Sequence, residues 1–157
     1  YRPKIHLSQL FRFAVPPLTL ADVGHRLHYV TGGNSDWDGF FQEIPNDKPN
    51  VELVELAQFL LTSSDKKVLF ATGRPERTRQ DTISWLVRHK IETDFHFCLF
   101  MRKEGDRRED HKVKFDILTD MRNRGFDPVL VFDDRQTVVD MWRKQGIRVA
   151  QVAPGNF

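Results

Sequence analysis

Short apolar runs alternate along this chain with segments whose apolar residues recur every three or four positions. The runs are typical of buried strands, and the spacing is typical of helices that bury one face. Strands are predicted over residues 10–15, 67–71, 95–101, 128–132 and 147–153. Helices are predicted over residues 51–61, 78–89, 113–125 and 137–146. The alternation predicts an α/β fold with a mostly parallel sheet and helices on both of its faces.

The sequence also predicts which face of one helix is buried and where two other helices end. Apolar spacing predicts that the second helix turns Ile83, Leu86 and Val87 toward the core. Gly125 and Gly146 follow the last two helices, where glycine commonly ends a helix.

The composition is that of a soluble globular protein. The chain has 157 residues, of which 39% are hydrophobic and 29% charged, and its formal net charge is +2. We expect a single domain over residues 1–157, and the small positive charge permits an anionic ligand without requiring one. No apolar run approaches the roughly 20 residues that a membrane-spanning helix needs. The only cysteine, Cys98, lies in an apolar run, which predicts a buried thiol in a reducing, cytoplasmic compartment.

The residues that follow the predicted strands are the first place to look for a binding site. In sheets of this kind, ligands bind outside the carboxyl ends of the strands. The residues at those positions are Val15-Pro16-Pro17, Thr72-Gly73-Arg74, Met101-Arg102 and Asp133-Asp134.

The segment Thr72-Gly73-Arg74 combines a hydroxyl, a glycine that lets a ligand approach the backbone, and a guanidinium. These groups suit a phosphate or another planar anion. A simple glycine turn beside a solvated arginine is an equally good interpretation of these three residues alone.

Two acidic positions carry further alternatives. Asp133 and Asp134 leave a very apolar run, and adjacent carboxylates at a sheet edge are commonly explained by a bound cation. Asp134 could instead cap the following helix. Asp110 and Lys114 stand at a predicted helix start, where the helix dipole mildly disfavours a lysine. This conflict favours a bound anion near Lys114, although a solvated lysine is the default.

Three segments carry a resemblance to a known family. The sequence TGR at 72–74, the Asp-x-x-x-Lys segment from Asp110 to Lys114, and residues 132–157 resemble the 3′-phosphatase domain of bacteriophage polynucleotide kinase. That domain belongs to the haloacid dehalogenase (HAD) superfamily. The resemblance runs from about Leu10 to Phe157. It implies a Rossmann-like core and Mg²⁺-dependent hydrolysis of a phosphomonoester through an aspartyl-phosphate.

The resemblance also implies residue roles. Thr72 would contact the phosphoryl group, Arg74 would be a required phosphate ligand, and Lys114 would neutralise charge beside an essential Asp110. The Mg²⁺ ligand would lie within Asp133-Asp134. The residues assigned to substrate binding are Arg26, Gly73, Arg102 and Arg135. The segment 28–50 is a short cap or flap, too small to enclose the site, and an open site suits a nucleic-acid end.

The family's first strand ends in Asp-x-Asp-Gly-Thr, which supplies the nucleophile and the general acid/base, and this chain departs from that pattern. One alignment puts Asp22 at the nucleophile and loses the second acid. The other puts Val15 and Pro17 at the two acids and keeps Thr19. We prefer the second alignment, because residues 10–15 form a proper strand directly before it. The first would run a central strand through prolines, which donate no ladder hydrogen bonds. Arg26, moreover, lies eleven residues after Val15, the spacing of an essential arginine in the family.

Valine and proline can neither attack phosphorus, bind Mg²⁺ nor move a proton. We therefore expect a domain that recognises a phosphorylated nucleotide or a DNA or RNA end with little or no turnover, and whose Mg²⁺ binding is weakened. One alternative is an active phosphatase that uses a substitute acid such as Asp22. A second is a non-catalytic interaction protein on the same scaffold. A phage-encoded protein of this kind would work in the host cytoplasm.

An aromatic group and a set of arginines each allow two interpretations. Trp37, Phe40 and Phe41 could stack on a base or cover the edge of the sheet. Five arginines could line a path for a phosphate backbone or form a solvated face. They are Arg77, Arg79, Arg102, Arg107 and Arg108.

Overall fold

The computed structural model describes residues 11–33, 35–62 and 66–155. The strands are β1 (Phe11–Ala14), β2 (Ala21–Asp22), β3 (Lys48–Pro49), β4 (Lys66–Pro75), β5 (Leu99–Arg102), β6 (Leu130–Asp133) and β7 (Arg148–Gln151). The α-helices are α1 (Pro17–Leu20), α2 (Trp37–Gln42), α3 (Val51–Leu61), α4 (Arg79–Arg88), α5 (Phe95–Cys98), α6 (Asp110–Asn123) and α7 (Gln136–Lys144). Short 3₁₀ helices span Gly24–Tyr29, Ile44–Asn46 and Glu76–Thr78.

Five strands form one sheet in the order β5-β4-β1-β6-β7. Every neighbouring pair in this sheet is parallel. The chain winds from β1 outward to β5 and then crosses back to β6, so the strand order reverses beside β1. This confirms the predicted α/β fold with a Rossmann-like core, and such a reversal is where these folds bind ligands.

Apolar residues are buried on both faces of the sheet. Leu69 and Ala71 of β4 belong to a core cluster that also includes residues of α6 and α7. Val68 and Phe70, which alternate with them, belong to a second cluster with residues of α3 and α4. Successive side chains of a strand point to opposite faces, so the two clusters place helices on both sides, as predicted.

The predicted strand over residues 95–101 is wrong in its first half. Residues 95–98 form the short helix α5, and the strand β5 begins only at Leu99. The carboxylate of Asp94 accepts a hydrogen bond from the backbone amide of His96, which caps the helical turn. Cys98 is fully buried, as predicted.

Two helix predictions also need correction. Val87 of α4 is 42% exposed, while Trp85 on the same helix is fully buried. The helix α6 begins at Asp110, so Lys114 is its fifth residue and lies beyond the first turn. Gly125 follows α6 with a φ of 78°, the left-handed conformation expected at a helix end.

The segment predicted as a short cap contains α2, the 3₁₀ helix Ile44–Asn46 and β3. The strand β3 pairs antiparallel with β2, outside the main sheet. No helix among the described residues has the length and apolar character that a bilayer crossing requires.

Candidate functional site

The carboxyl end of β1 carries an apolar side chain. Ala14 lies opposite Leu69 of β4 and Val131 of β6. The backbone amide of Val15 donates to the carbonyl of Leu69 at 2.9 Å, so Val15 continues the direction of β1 toward the ligand-binding edge. Its side chain is only 3% exposed and belongs to the core cluster on the α3 and α4 face. The position at the tip of the central strand therefore offers no carboxylate.

Asp22 does not lie at the end of the central strand. It belongs to β2, in the two-stranded sheet, where it pairs with Lys48. Its side chain is exposed, and its Oδ1 accepts a hydrogen bond from the backbone amide of Gly24 at 2.8 Å. The residue that directly follows the central strand is Val15, which is the register preferred on the sequence.

Arg74 and Arg26 share one buried carboxylate, that of Asp47. Arg74 Nη2 donates to Asp47 Oδ2 at 2.8 Å, and Arg26 Nη2 donates to the same oxygen at 2.7 Å. Arg26 Nε lies 2.7 Å from Asp47 Oδ1, and Arg26 Nη1 donates to the carbonyl of Phe40 at 2.8 Å. The side chains of Asp47, Arg26 and Arg74 are fully buried. Asp47 therefore orients both arginines.

The charges of this cluster do not balance. Two guanidinium groups meet one carboxylate, so a charge of about +1 is buried there if all three groups are ionised. Burial lowers the pKa of Arg74 to about 10, which still leaves it protonated at neutral pH. Burial raises the pKa of Asp47, while Arg74 and Arg26 act in the opposite direction. Excess buried positive charge is an environment that attracts an anion.

Five buried side-chain polar atoms have no hydrogen-bond partner in the part of the chain that the structure describes: Arg12 Nε, Thr19 Oγ1, Arg26 Nε, Asp47 Oδ1 and Arg74 Nε. Arg26 Nε and Asp47 Oδ1 face each other as an ion pair at 2.7 Å, and the Arg12 guanidinium lies over the Phe126 ring. This leaves Thr19 Oγ1 and Arg74 Nε as the two unpartnered atoms. Thr72 is also fully buried, and its Oγ1 accepts from the Arg74 amide at 3.2 Å. It lies inside β4, because this strand continues to Pro75 and so extends beyond the end predicted at residue 71. Buried polar groups without partners are rare, and the oxygens of a bound anion would supply the missing acceptors.

Lys114 links the carboxylates of two elements. Its ammonium lies 3.3 Å from Asp110 Oδ2 and 3.1 Å from Asp133 Oδ2. Burial alone would lower the pKa of Lys114, but Asp110 and Asp133 raise it above its usual value. Burial alone would raise the pKa of Asp110, but Lys114, Arg135 and Arg102 hold it below its usual value. Lys114 is therefore a buried cation held between two carboxylates.

Asp133 has hydrogen-bond donors on both oxygens. Its Oδ2 accepts from Lys114 and, at 3.2 Å, from the indole Nε1 of Trp142. Its Oδ1 accepts from the backbone amides of Asp134 and Arg135 at 2.9 and 3.4 Å. The predicted capping role of Asp134 is wrong: α7 begins at Gln136, its N-cap residue is Arg135, and no side chain caps it. Burial and the neighbouring Asp133 raise the pKa of Asp134.

The predicted Mg²⁺ ligands, Asp133 and Asp134, have no third acidic, histidine or cysteine side chain grouped with them: the described residues contain no group of three or more that could hold a metal ion. Mg²⁺ binding at Asp133 and Asp134 stays a prediction. Both oxygens of Asp133 are already engaged, and Val15 supplies no ligand from the central strand.

Gly73 allows two further predicted residues to approach the strand end. Arg102 Nε donates to the Gly73 carbonyl at 2.7 Å, and Arg102 Nη2 lies 3.4 Å from Asp110 Oδ1. A Cβ atom at residue 73 would overlap Asp110 Oδ1, so a side chain there would displace the carboxylate. The absence of a side chain at this position thus keeps Asp110 and Arg102 against the end of β4.

Most of the chain matches the model of one protein family. The model of the family described as "Polynucleotide kinase PNKP phosphatase domain" matches residues 19–157. The chain belongs to this family. The match begins at Thr19, so Val15 and Pro17, the positions predicted to have lost the acids, lie outside it.

Relatives of this polynucleotide kinase phosphatase domain are longer proteins. A protein of Autographa californica nuclear polyhedrosis virus, described as "Putative bifunctional polynucleotide kinase/RNA ligase", is 25% identical over 111 residues, which are 70% of this chain and 16% of the viral protein. The solved structure "Structure of the Pnkp1/Rnl/Hen1 RNA repair complex" has a TM-score of 0.74 at 23% identity, over 94% of this chain and 43% of that one. "Structure of Pnkp1/Rnl/Hen1 complex" has a TM-score of 0.75 at 22% identity, over 96% and 48%. The chain therefore spans less than half the length of each of these proteins.

The structure brings most of the predicted site residues of this phosphatase domain into two groups. Arg26 and Arg74 meet at Asp47, and Lys114 meets Asp110 and Asp133. Four more lie around these groups: Thr72 and Gly73 on β4, and Arg102 and Arg135 beside Asp110 and Asp133. Asp22 belongs to neither group. The catalytic, binding and metal-binding roles assigned to these residues stay predictions.

Sequence reasoning missed two residues of the site. Asp47 lies in a loop of the cap segment, and nothing in the local sequence distinguishes it from a solvated loop aspartate. The sequence analysis gave no role to Trp142, whose indole Nε1 donates to Asp133. A buried tryptophan needs an acceptor for its N–H, and this was the one signal that could have suggested the contact.

Proposed function

We propose that this domain binds a phosphomonoester at the end of a nucleic acid or on a nucleotide, and that it does not hydrolyse it by the aspartyl-phosphate route. The family supplies the class of ligand. The description of the viral relative, which names both a polynucleotide kinase and an RNA ligase, supports a nucleic-acid end over a small metabolite.

A single observation carries the proposal: Val15, and no acidic residue, directly follows the central strand. In the preferred alignment this is the position of the family's nucleophile. The strands on either side of the central strand are β4, which contains Thr72, and β6, which ends at Asp133. The groups that could hold an anion are therefore present without the atom that would attack phosphorus. Loss of both the nucleophile and the general acid/base would lower the rate by roughly 10⁵-fold or more.

Support for anion binding comes from charge and from the two unpartnered atoms. The Arg26, Arg74 and Asp47 cluster holds more positive than negative groups, and Arg74 Nε and Thr19 Oγ1 can each donate to a phosphate oxygen. Mg²⁺ binding through Asp133 and Asp134 would have to compete with Lys114, so we propose that any such binding is weak.

Titration of a single-stranded 3′-phosphorylated oligonucleotide tests the binding. We expect the wild type to bind it at least tenfold more tightly than the same oligonucleotide with a 3′-hydroxyl. Arg74→Ala should abolish this difference. The variant leaves Asp47 paired with Arg26, one carboxylate with one guanidinium, so the fold should persist and can be checked by circular dichroism. Arg122→Ala, which removes an exposed arginine paired with Asp127, is the matched control.

The same experiment addresses the two alternatives. A pure interaction protein predicts no preference for the phosphorylated end, and this outcome would overturn the proposal. An active phosphatase predicts Mg²⁺-dependent release of phosphate that Asp22→Asn abolishes. The structure offers no observation in favour of that role, because Asp22 is exposed and lies outside the main sheet.

A further inference from the structure

A cleft of about 750 Å³ extends from the strand ends to the cap segment. It is lined by Gly73, Asp110 and Arg135, which belong to the candidate site, and by Trp37 and Phe41 of α2. We call this space the aromatic cleft. Its volume suits a nucleotide-sized ligand and is too small for a folded partner.

Trp37 presents a large apolar surface to this cleft. Its side chain is 53% exposed, although tryptophan is usually among the most buried residues of a domain. Phe41 stacks against the indole with 6.0 Å between ring centroids and an interplanar angle of 29°, and Phe40 meets it edge-on at 5.6 Å. One face of the indole is thus supported by other rings, which holds the ring in place without burying it.

The three aromatic residues have different roles. Phe40 is 7% exposed and lies under the guanidinium of Arg26, at 4.1 Å from its ring centroid. Phe40 therefore packs on the buried arginine cluster, whereas Trp37 is half exposed and lines the cleft.

Arg77 fixes the position of the aromatic residues relative to the sheet. Its Nη2 lies 2.8 Å from Asp38 of α2, and its Nη1 lies 2.6 Å from Glu104 in the loop after β5. Its guanidinium also lies 5.5 Å from the centroid of the Phe41 ring. Exposed ion pairs stabilise a fold little, but these two tie α2 to the far wall of the cleft.

Charges of both signs line the cleft. Asp36 and Asp38 flank Trp37 in the chain, and Arg77 is paired with Asp38 and Glu104. The other arginines of the lining are Arg102, Arg107, Arg108 and Arg135. The two carboxylates beside Trp37 disfavour a run of backbone phosphates at that residue. A neutral heterocycle is favoured instead, because carboxylates accept hydrogen bonds from exocyclic amino groups.

We propose that the aromatic cleft holds the terminal nucleoside of the phosphorylated end, with its base stacked on Trp37 and its phosphate at the strand ends. This inference rests on the proposed function and adds that recognition is confined to one nucleoside 3′-monophosphate unit. A longer strand then gains little affinity over the mononucleotide. Three of the five arginines that could line a path for a phosphate backbone are already paired with nearby acids, which agrees with recognition of a single nucleoside. They are Arg77, Arg79 and Arg108.

Binding of a nucleoside 3′-monophosphate and of inorganic phosphate is the test, with wild type, Trp37→Ala and Trp37→Phe. Removing a stacked aromatic weakens nucleic-acid binding by roughly five- to hundredfold per base. We expect Trp37→Ala to lose this much affinity for the nucleotide and none for inorganic phosphate, and Trp37→Phe to lose less. Phe59→Ala, which removes an aromatic that is 69% exposed on α3, is the matched control and should bind like the wild type.

Tryptophan fluorescence gives a second measurement. The other two tryptophans, Trp85 and Trp142, are fully buried, so quenching by a bound base should come from Trp37 and vanish in Trp37→Phe. Unchanged nucleotide affinity in Trp37→Ala overturns this inference while leaving the proposed function intact. Failure of the wild type to bind either ligand overturns both. Affinity that rises steadily with strand length overturns the limit to one nucleoside.

Discussion

The carboxylate of Asp47 lies 2.8 Å from the guanidinium of Arg74, and both side chains are completely buried. The contact joins the cap segment to the end of β4, two parts of the chain 27 residues apart. Asp47 makes a second pair with Arg26, so the direction of both arginines depends on one acidic residue. Arg74, which is predicted to bind phosphate, is thus held by a residue of the cap segment.

Replacement of Asp47 by asparagine should destabilise the fold. The change leaves two buried guanidinium groups without a charged partner, and breaking a buried ion pair costs roughly 3–5 kcal/mol of unfolding free energy. Urea unfolding measures the effect. Asp38→Asn is the control, because Asp38 is 80% exposed in its pair with Arg77 and its loss should cost less than about 1 kcal/mol. Equal effects of the two substitutions would contradict the role given to Asp47.

Returning the two missing acids should restore hydrolysis. We expect the wild type to release no measurable phosphate from a 3′-phosphorylated oligonucleotide in Mg²⁺. Val15→Asp combined with Pro17→Asp should gain several orders of magnitude in rate, because the nucleophile and the general acid/base act as a unit. Phosphate release per folded molecule is the measurement, with Val15→Asn and Pro17→Asn as the isosteric control. Equal rates for wild type and the aspartate variant would show that other site residues have also been lost.

Gly73→Ala should disturb the site through Asp110. The added methyl group would overlap Asp110 Oδ1, so the carboxylate must move away from the end of β4. We expect weaker phosphate binding and a loss of roughly 1–3 kcal/mol of unfolding free energy, the usual cost of overpacking. Gly24→Ala is the matched substitution, because the new methyl group would meet only the exposed side chain of Asp22. Wild-type behaviour of Gly73→Ala would contradict the close approach.

The lowered pKa of Asp110 predicts a pH dependence of stability. A carboxylate whose pKa is lower in the folded state stabilises that state above its unfolded pKa of about 3.9. This stabilisation is lost as the pH falls through the folded pKa. Asp110→Asn should therefore lower the unfolding free energy by about 1–3 kcal/mol at pH 7. The difference in unfolding free energy between wild type and variant should shrink below about pH 4. Urea unfolding across that range measures it, with the exposed Glu92→Gln as control. A pH-independent difference would contradict the charge-based explanation.

The sheet and its helices could be predicted because apolar periodicity is a local property. The helix over residues 51–61 matches α3 at both ends, and the strand before Val15 lies where the sequence placed it. The prediction failed at residues 95–98, a mostly apolar segment interrupted by His96. These residues form a helical turn that the side chain of Asp94 caps. Short apolar runs carry no information that separates a strand from a buried helix.

The positions of the site residues along the strand ends could also be predicted, because parallel strands bring their carboxyl ends to one edge. The partners of those residues could not. Asp47 reaches Arg26 and Arg74 only after the cap segment folds back on the sheet, and Trp142 reaches Asp133 across a helix–strand interface. Such contacts form only when distant segments pack together, and a single sequence does not show which segments do so.

The burial of Val15 has a consequence for the history of this domain. Its side chain packs in the same core cluster as Leu20 and Phe70, so the hydrophobic interior now reaches the tip of the central strand. A carboxylate introduced at residue 15 alone would lose its hydration shell in this apolar cluster. On the proposed function, one acid without the other would lower stability and give no activity. Selection acting one substitution at a time would then tend to preserve valine at this position.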